Sequence, residues 1–535
     1  MPTTFKVTVK LVLLRVVVRD GHGNAVGNLQ QDDFQVFDNR KPQIISQFSM
    51  EKADARTIIE RNAGEGSGFE PAGQTAAAPV AERYTAYLFD DVHLKFADLS
   101  YAREAALKHF ASLQPTDRAA IFSTSGQTTL DFSDDRAALR DTLQKLRPRP
   151  VTGGEPSPCP DMTSYVADLI VNKNDQTALQ VMTLDALHCA FNDDQRMLQQ
   201  AQNVADMAAD RSLTEEETES RLALGVLKDV VRRISLIPGQ RNIVFISPGF
   251  QVPQLQFEYN DVIDRALRSE IIVSSLDARG LYVPSSFRDS SKPTSNTIAI
   301  ASQEEAYQTQ ADNSASDILA VVAAGTGGAF FHNSNDLNEG LKRLASAPEY
   351  SYVLGFAPQN LKLDGSFHSL KVTLKKGMKL DIQARRGYYA PKHLTDPSEE
   401  AKREIEDAVF SQEEVHGLPV ELHTRFFKSS DDDAKLSVLA HVDVKSIRFR
   451  KEDGRNRNEL TVVSALFDRN GNYLKGEEQV LQMRFKDETL QSKLGEGVTL
   501  KTSFDVKPGT YLVRLVVRDA EGQMLSAENS AVEIP

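Results

Sequence analysis

Residues 84–94, YTAYLFDDVHL, constrain the fold of this chain more than any other stretch. The apolar run Tyr87, Leu88 and Phe89 stops abruptly at Asp90 and Asp91, with His93 two positions on. A helix-like segment starts near Ala97. An unbroken apolar run of this length suits a strand buried on both faces. Acids at the end of such a strand, just before a helix, stand where an open α/β sheet places its ligand site, beyond the carboxyl ends of its strands.

The same rhythm continues from about residue 82 to 346. Strand-like runs TAYLFD, AAIFSTS, RNIVFISPGF, IIVSSLDA and GGAFFHN alternate with helical patterns such as ADLSYAREAALKHFASL, DDRAALRDTLQKL, ESRLALGVLKDVVRRISLI, DVIDRALRSE and SDILAVVAA. Short apolar strands between amphipathic helices predict a mostly parallel sheet covered on both faces. Residues 150–215 break the rhythm with polar helical stretches and read as an insertion or an elaborated helical face. GTGG, Gly325 to Gly328, lacks the Lys and Ser/Thr of a phosphate loop and reads as a helix end.

Either side of this unit the chain reads as β. Residues 5–50 carry runs rich in Val, Ile and Phe, punctuated by GHGN and NRKP. Residues 349–392 carry EYSYVLGFAP, HSLKVTLKK and LDIQARRGYYAP. Neither segment alone has enough strands for stability, so the two are expected to share one sandwich with the α/β domain inserted into it. Residues 51–80 are small, polar and Gly/Pro-rich and read as a flexible linker. Residues 396–414 read as a charged helical connector, and 416–535 as a second sandwich. Strand-and-turn echoes in VVVRDGHGNAV, ALFDRNGNYL and LVVRDAEGQML suit immunoglobulin-like sandwiches, although hairpin chemistry alone also yields them. In TYLVRLVVRD, Tyr511, Val513, Leu515 and Val517 fall on one face and Arg514 and Arg518 on the other, as in a half-buried strand. Tyr350, Tyr352, Phe356, Tyr388 and Tyr389 read either as a binding strip or as sandwich packing.

At 535 residues and 40% apolar content, the chain holds material for about three domains of roughly 150 residues. A formal net charge of −13 argues against nucleic acid and anionic membranes as partners. No run of about 20 apolar residues exists to span a membrane. The N-terminal MPTTFKVTVKLVLLRVVV is broken by Lys6, Lys10 and Arg15 and reads as a strand and not a secretion signal; an earlier signal can have been removed. The two cysteines, Cys159 and Cys189, lack zinc-type spacing, and a disulfide closing a loop of roughly 30 residues is the expected use. Such a bond implies an oxidising compartment.

Several dispersed motifs together resemble the von Willebrand factor A (VWA) related proteins of acidobacteria. They are LVLLRVVVRDGHGNAVGNLQQDDFQVFDNRKPQ, LFDDVHL, PGQRNIVFISPGF, AAGTGGAFF, YSYVLGFAPQN and IQARRGYYAP, spread over roughly residues 5–392. The resemblance implies a VWA-like, Rossmann-like domain in a secreted or envelope-associated bacterial protein. Such domains bind partners, often through a divalent cation held by an Asp-x-Ser-x-Ser motif. Here Asp90 matches the aspartate, but Val92 and Leu94 replace both serines. The second-loop threonine corresponds to Thr163. The third-loop aspartate falls in FISPGF, where Pro248 stands between Ser247 and Gly249. The family's metal site is therefore degenerate.

Two readings of the acids follow. Asp90, Asp91, His93 and Thr163 could hold a substitute cation, Mg²⁺, Mn²⁺ or Ca²⁺, with Ser123, Ser125 and Ser247 supplying hydroxyls from neighbouring loops. Alternatively the two aspartates satisfy backbone N–H groups at the strand-to-helix turn, and STSG is a polar turn. No G-x-S-x-G elbow or HExxH occurs, and the ten histidines are scattered, so no enzyme activity is expected. The leading expectation is a non-catalytic, adhesion-type binder of a protein partner in the bacterial envelope or exterior. Alternatives are a structural module working through its β-sandwiches and a metal-dependent hydrolase using Asp90, Asp91 and His93.

Overall fold

The computed structural model describes residues 12–21, 25–52, 83–151, 159–238, 240–251, 255–269, 271–281, 298–345, 350–358, 366–375, 380–390, 397–410, 415–428, 430 and 432–535. The expected linker at 51–80 lies almost wholly outside them.

The middle of the chain forms a six-stranded sheet. Its order is Phe330–Phe331, Ile272–Asp277, Gln240–Ser247, Arg83–Phe89, Asp117–Ser123 and Thr129–Ser133. All neighbours are parallel except the last pair. The first strand in sequence, Arg83–Phe89, sits in the middle. The chain winds outward to Thr129–Ser133, then returns to the other side of Arg83–Phe89 with Gln240–Ser247. That reversal makes a crevice at the carboxyl ends of these two strands.

Alternation along the strands builds two cores. Ala86, Leu88, Phe245 and Val273 face one way, toward Leu227 and Val231 of helix Leu198–Ile234 and Ile318 and Val322 of helix Ile298–Thr326. Tyr87, Phe89, Ile121 and Ile246 face the other, toward Ala106 and Phe110 of helix Phe96–Phe110, Leu143 of helix Arg136–Lys145 and Leu341 of helix Leu337–Ala345. Burial on both faces is why these strands read as continuous apolar runs.

The region 150–215 is continuous with the covering helices. Helices Ser164–Val171 and Gln176–Phe191 pack against the first half of the 37-residue helix Leu198–Ile234 around Val166, Met182, Ala205 and Ala209. Apolar periodicity showed only the second half of that long helix. Its first half buries alanines, which are too small to make an apolar stripe, and its middle is charged. A Cys159–Cys189 disulfide ties this helical extension together.

Strands from both sides of the α/β unit interleave in two further sheets. Val12–Arg19 pairs with Tyr350–Phe356 and with Asp381–Ala384, and Ile45–Lys52 lines the far edge of Tyr350–Phe356. The second sheet runs Gly387–Tyr389, Phe367–Leu374, Phe34–Asp38, Lys41–Gln43. Leu14, Val16, Val36, Leu354 and Leu370 share one core between them. Tyr352, Phe356 and Tyr388 belong to that core and form no surface strip, while Tyr350 is part-buried. Lys52 and Tyr350 are register partners, so the chain leaves this unit and re-enters it at adjacent points.

The C-terminal residues form a larger and a smaller sheet. The larger holds Val415–His416, Met524–Ile534, Gly509–Asp519, Arg455–Asp468 and Arg450–Glu452, with Tyr473–Phe485 paired along Arg455–Asp468. The smaller is Val420–Lys428, Ala434–Val442 and Val498–Val506. The strand Gly509–Asp519 corrects the half-buried expectation, since Leu512, Arg514 and Val516 are buried too. Helix Pro397–Val409 covers that second face. The Arg514 guanidinium donates to the Ala408 carbonyl at 3.0 Å, and Arg518 pairs with Glu404 at 3.0 Å. Among the described residues, no helix is long and apolar enough to cross a membrane.

The 30-residue separation of Cys159 and Cys189 should contribute about 3–4 kcal/mol by restricting the unfolded chain. Guanidinium unfolding of a Cys159→Ser/Cys189→Ser variant should show that loss, and reductant should produce it in the wild type. Equal midpoints would show that the cross-link constrains nothing.

Candidate functional site

The crevice at the sheet reversal is filled by side chains from three strand ends. The strand Arg83–Phe89 closes into a turn in which Asp91 N–H donates to Phe89 O and Leu94 N–H to Asp90 O. This turn directs Val92 and Leu94 downward, with 4% and 2% exposure, and Leu94 joins the core below. Both positions therefore serve packing.

Asp90 is fully buried and fully partnered. Its Oδ1 accepts from Thr124 Oγ1 at 2.8 Å and its Oδ2 from Ser247 Oγ at 2.7 Å. His93 Nδ1 lies 2.9 Å from both oxygens. Asp91, equally buried, accepts from Ser125 N–H at 2.8 Å and Ser125 Oγ at 2.6 Å. Thr124 Oγ1 also lies 3.2 Å from Asp91 and accepts from Val92 N–H at 3.3 Å. Ser247 Oγ accepts in turn from Gly249 N–H at 3.0 Å.

His93 supplies the counter-charge. Burial disfavours the imidazolium, but the Asp90 carboxylate outweighs it and raises His93 to about 9, helped by Glu216 and Glu219. Burial likewise opposes ionisation of Asp90, yet the His93 charge and the His93, Ser247 and Thr124 hydrogen bonds hold it below the usual carboxylate range. The imidazole stacks on buried Phe250, with centroids 4.8 Å apart and planes at 18°. Its Nε2 is buried without a hydrogen-bond partner. Glu216, pushed up by burial, accepts from Gln251 N–H at 2.8 Å.

These residues do not fit a cation in this arrangement. A hard divalent ion needs about six oxygen ligands, whereas the Asp90 and Asp91 oxygens already receive hydroxyl, amide or imidazole donors. Among the described residues, no group of three or more His, Cys, Asp or Glu side chains is placed to hold a metal. Thr163, expected as a ligand, instead caps helix Ser164–Val171 by accepting from Val166 N–H at 3.3 Å. Ser123 stands behind Ser125, its Oγ 3.2 Å from Ser125 Oγ, and accepts from Thr128 N–H. Asp90, Asp91, His93, Ser125 and Ser247 thus meet, Ser123 supports them, and Thr163 does not join.

Thr124, Phe250 and Glu216 escaped the sequence reading. Thr124 sits within the flagged STSG turn, and strand alternation could have separated its direction from that of Ser123 and Ser125. Nothing local marks Glu216, which reaches the site from the long helix.

No family model matches the chain, and no curated protein matches it. Among solved structures it is similar to the conserved hypothetical protein BatB from Bacteroides thetaiotaomicron, at 13% identity over 49% of this chain and 96% of that one, TM-score 0.21. It is also similar to a calcium-binding mutant of Bacteroides uniformis beta-glucuronidase 2, at 16% identity over 22% of this chain and 13% of that one, TM-score 0.15. A glycosyl hydrolase family 2 member from Bacteroides cellulosilyticus is 9% identical over 35% of this chain and 20% of that one, TM-score 0.17. The chain spans only a small part of the two glycosidases, and overlaps this slight carry no argument about chemistry.

The ion pair has a definite pH signature. His93 titrates near 6.5 unfolded and about 9 folded. Its stabilisation is complete below 6.5 and lost as pH rises through 9. Asp90 works in the opposite range: its contribution is present above about 3.8 and lost as pH falls through its lower folded value. His109, lowered to about 4 by burial, adds a separate loss as pH falls from 6.5 toward 4. A His93→Gln variant should therefore lose the pH 7–9 slope and about 3–5 kcal/mol at pH 7, because Asp90 is left buried without its cation. Denaturant unfolding from pH 5 to 10 measures both, and an unchanged alkaline slope would assign that loss to another group.

Proposed function

We propose that this chain is a non-catalytic binding protein of the bacterial envelope or exterior. In this reading a VWA-like domain, inserted in an immunoglobulin-like sandwich, recognises a protein partner through the crevice end of its sheet. The observation that carries it is the Asp90–His93 pair. An imidazolium stands where a VWA adhesion site keeps its cation, so recognition is metal-independent. The strand order, with its reversal beside Asp90, supports the VWA-like reading, and the Cys159–Cys189 bond supports an oxidising compartment.

The hydroxyl pattern supports binding over catalysis. Thr124, Ser125 and Ser247 all donate to carboxylates, and none bonds to the His93 ring that would have to activate it. The hydrolase reading would need Asp90 to exchange its present donors for a metal. A structural module is the second reading, favoured by exposed Phe426 and Phe427 on the outer strand Val420–Lys428 and by Tyr473, Leu474 and Val480 on Tyr473–Phe485.

Calorimetric titration with Mg²⁺, Mn²⁺, Ca²⁺ and Zn²⁺ should give no saturable heat for the wild type. The His93→Ala variant, which uncovers Asp90, should gain Mn²⁺ binding, and a further Asp90→Ala change should abolish it. Saturable wild-type binding that Asp90→Ala removes would overturn metal independence. A photo-crosslinker at exposed Gln127, on the STSG turn, tests the partner. Crosslinks to one envelope protein that persist in EDTA are expected. Crosslinks from position 427 and none from 127 would move the function to the sandwich.

A further inference from the structure

The opposite end of the parallel sheet carries a second, differently charged feature. Strands Arg83–Phe89 and Asp117–Ser123 begin there, far along the strands from Asp90. The turn Asp468–Asn472 of the C-terminal sheet abuts this end. Its Gly471 has a φ of +81° and lies so close to the Tyr84 ring that a side chain would collide with it. Between the two units lies a cleft of about 320 Å³, lined by Arg118, Asp134 and Arg136 from the α/β side and Arg469 and Thr510 from the β side.

Charge is unbalanced in this cleft. Asp117, also on its wall, is paired at 2.7 Å with Arg83. That leaves Asp134 to face three guanidinium groups. Arg469 and Arg118 both bond to it, Arg118 at 3.4 Å. Burial opposes ionisation of Asp134, but these two cations hold it ionised. Arg136 has no carboxylate within ion-pair distance among the described residues. It donates only to the carbonyls of Ala111 and Leu113. The lining thus keeps a positive excess in a chain whose net charge is −13.

Donor geometry points the same way. Arg118 is 3% exposed. It spends Nε on the Arg469 carbonyl and Nη1 on the Pro115 and Asp117 carbonyls. This fixes its guanidinium rigidly across the boundary of the two units and leaves an Nη2 donor beyond its Asp134 contact. The remaining N–H groups of Arg136 and Arg469 are guanidinium donors of the type that binds carboxylate or phosphate oxygens. The volume lies at the small end of the range for ligand clefts, and boundaries between domains are favoured places for them.

We propose that this cleft binds a small dianion, a phosphate monoester or a dicarboxylate, clamped between the α/β unit and the C-terminal sheets. Arg136 and Arg469 grip it from the two sides, and Arg118 holds the Arg469 backbone in place through its carbonyl. The ligand bridges the two units and stabilises their contact by mass action.

Calorimetric titration of the full chain with inorganic phosphate and with succinate tests this. Saturable binding to at least one is expected, and the tighter of the two assigns the ligand class. Arg469→Gln should weaken binding about tenfold or more, since it removes one charge-assisted fork. Its side chain is 56% exposed, and a circular-dichroism melt checks that the variant stays folded. Asp134→Asn removes the competing carboxylate and should tighten binding, an effect that structural damage would not produce. Absence of saturable heat at millimolar phosphate and succinate would overturn the proposal. So would affinity for the tighter-binding anion left unchanged by both Arg469→Gln and Asp134→Asn. Neither result touches the reading of the Asp90 crevice, which shares no residue with this cleft.

Discussion

A fully buried carboxylate must find a counter-charge or give up its own. Asp90 meets that demand with His93, three residues away on the same turn, and with hydroxyls from two neighbouring strands. The ends of Arg83–Phe89, Asp117–Ser123 and Gln240–Ser247 are therefore joined by one carboxylate. The pair is locally neutral, which lets it sit beneath apolar Phe250 where a lone aspartate could not. It also fills the position at which this kind of sheet receives a ligand. The same two residues thus decide both how the crevice is held together and what chemistry remains open to it.

The arrangement of the units follows from where the chain enters and leaves the α/β part. Lys52 and Tyr350 are neighbours across one pair of strands. The α/β unit is therefore an insertion between strands of the sandwich, and neither sandwich sheet is complete without strands from both sides of it. The C-terminal sheets contact the opposite end of the α/β unit from the Asp90 crevice. The Asp90 crevice and the Arg118 cleft are therefore separate surfaces, with the parallel sheet between them.

Legibility differed from element to element. The strand Arg83–Phe89 was plain because burial on both faces demands an unbroken apolar run, and the turn after it was plain because Asp90 and Asp91 end that run. The first half of Leu198–Ile234 was hidden, because alanines packed against neighbouring helices leave no apolar stripe. The second face of Gly509–Asp519 was hidden as well. Arg514 looks solvent-facing in any local pattern, and only the docking of Pro397–Val409 gives it a buried acceptor. At the site, Asp90, Asp91, His93, Ser125 and Ser247 were visible as a polar set at strand ends. Thr163 was misplaced, because a threonine before a helix is equally suited to capping it.

The sequence by itself determined the alternation of strands and helices, the interruption of β segments by an α/β unit, and the apolar Val92 and Leu94 that follow the two acids. These are local matters of periodicity and residue type. Only the tertiary structure decided that His93 turns its Nδ1 onto Asp90, that Thr124 and Ser247 complete the carboxylate's shell, and that Arg118, Arg136 and Arg469 converge across a boundary. Those contacts join residues up to 351 positions apart. Their energies depend on burial and on distances that no local pattern encodes.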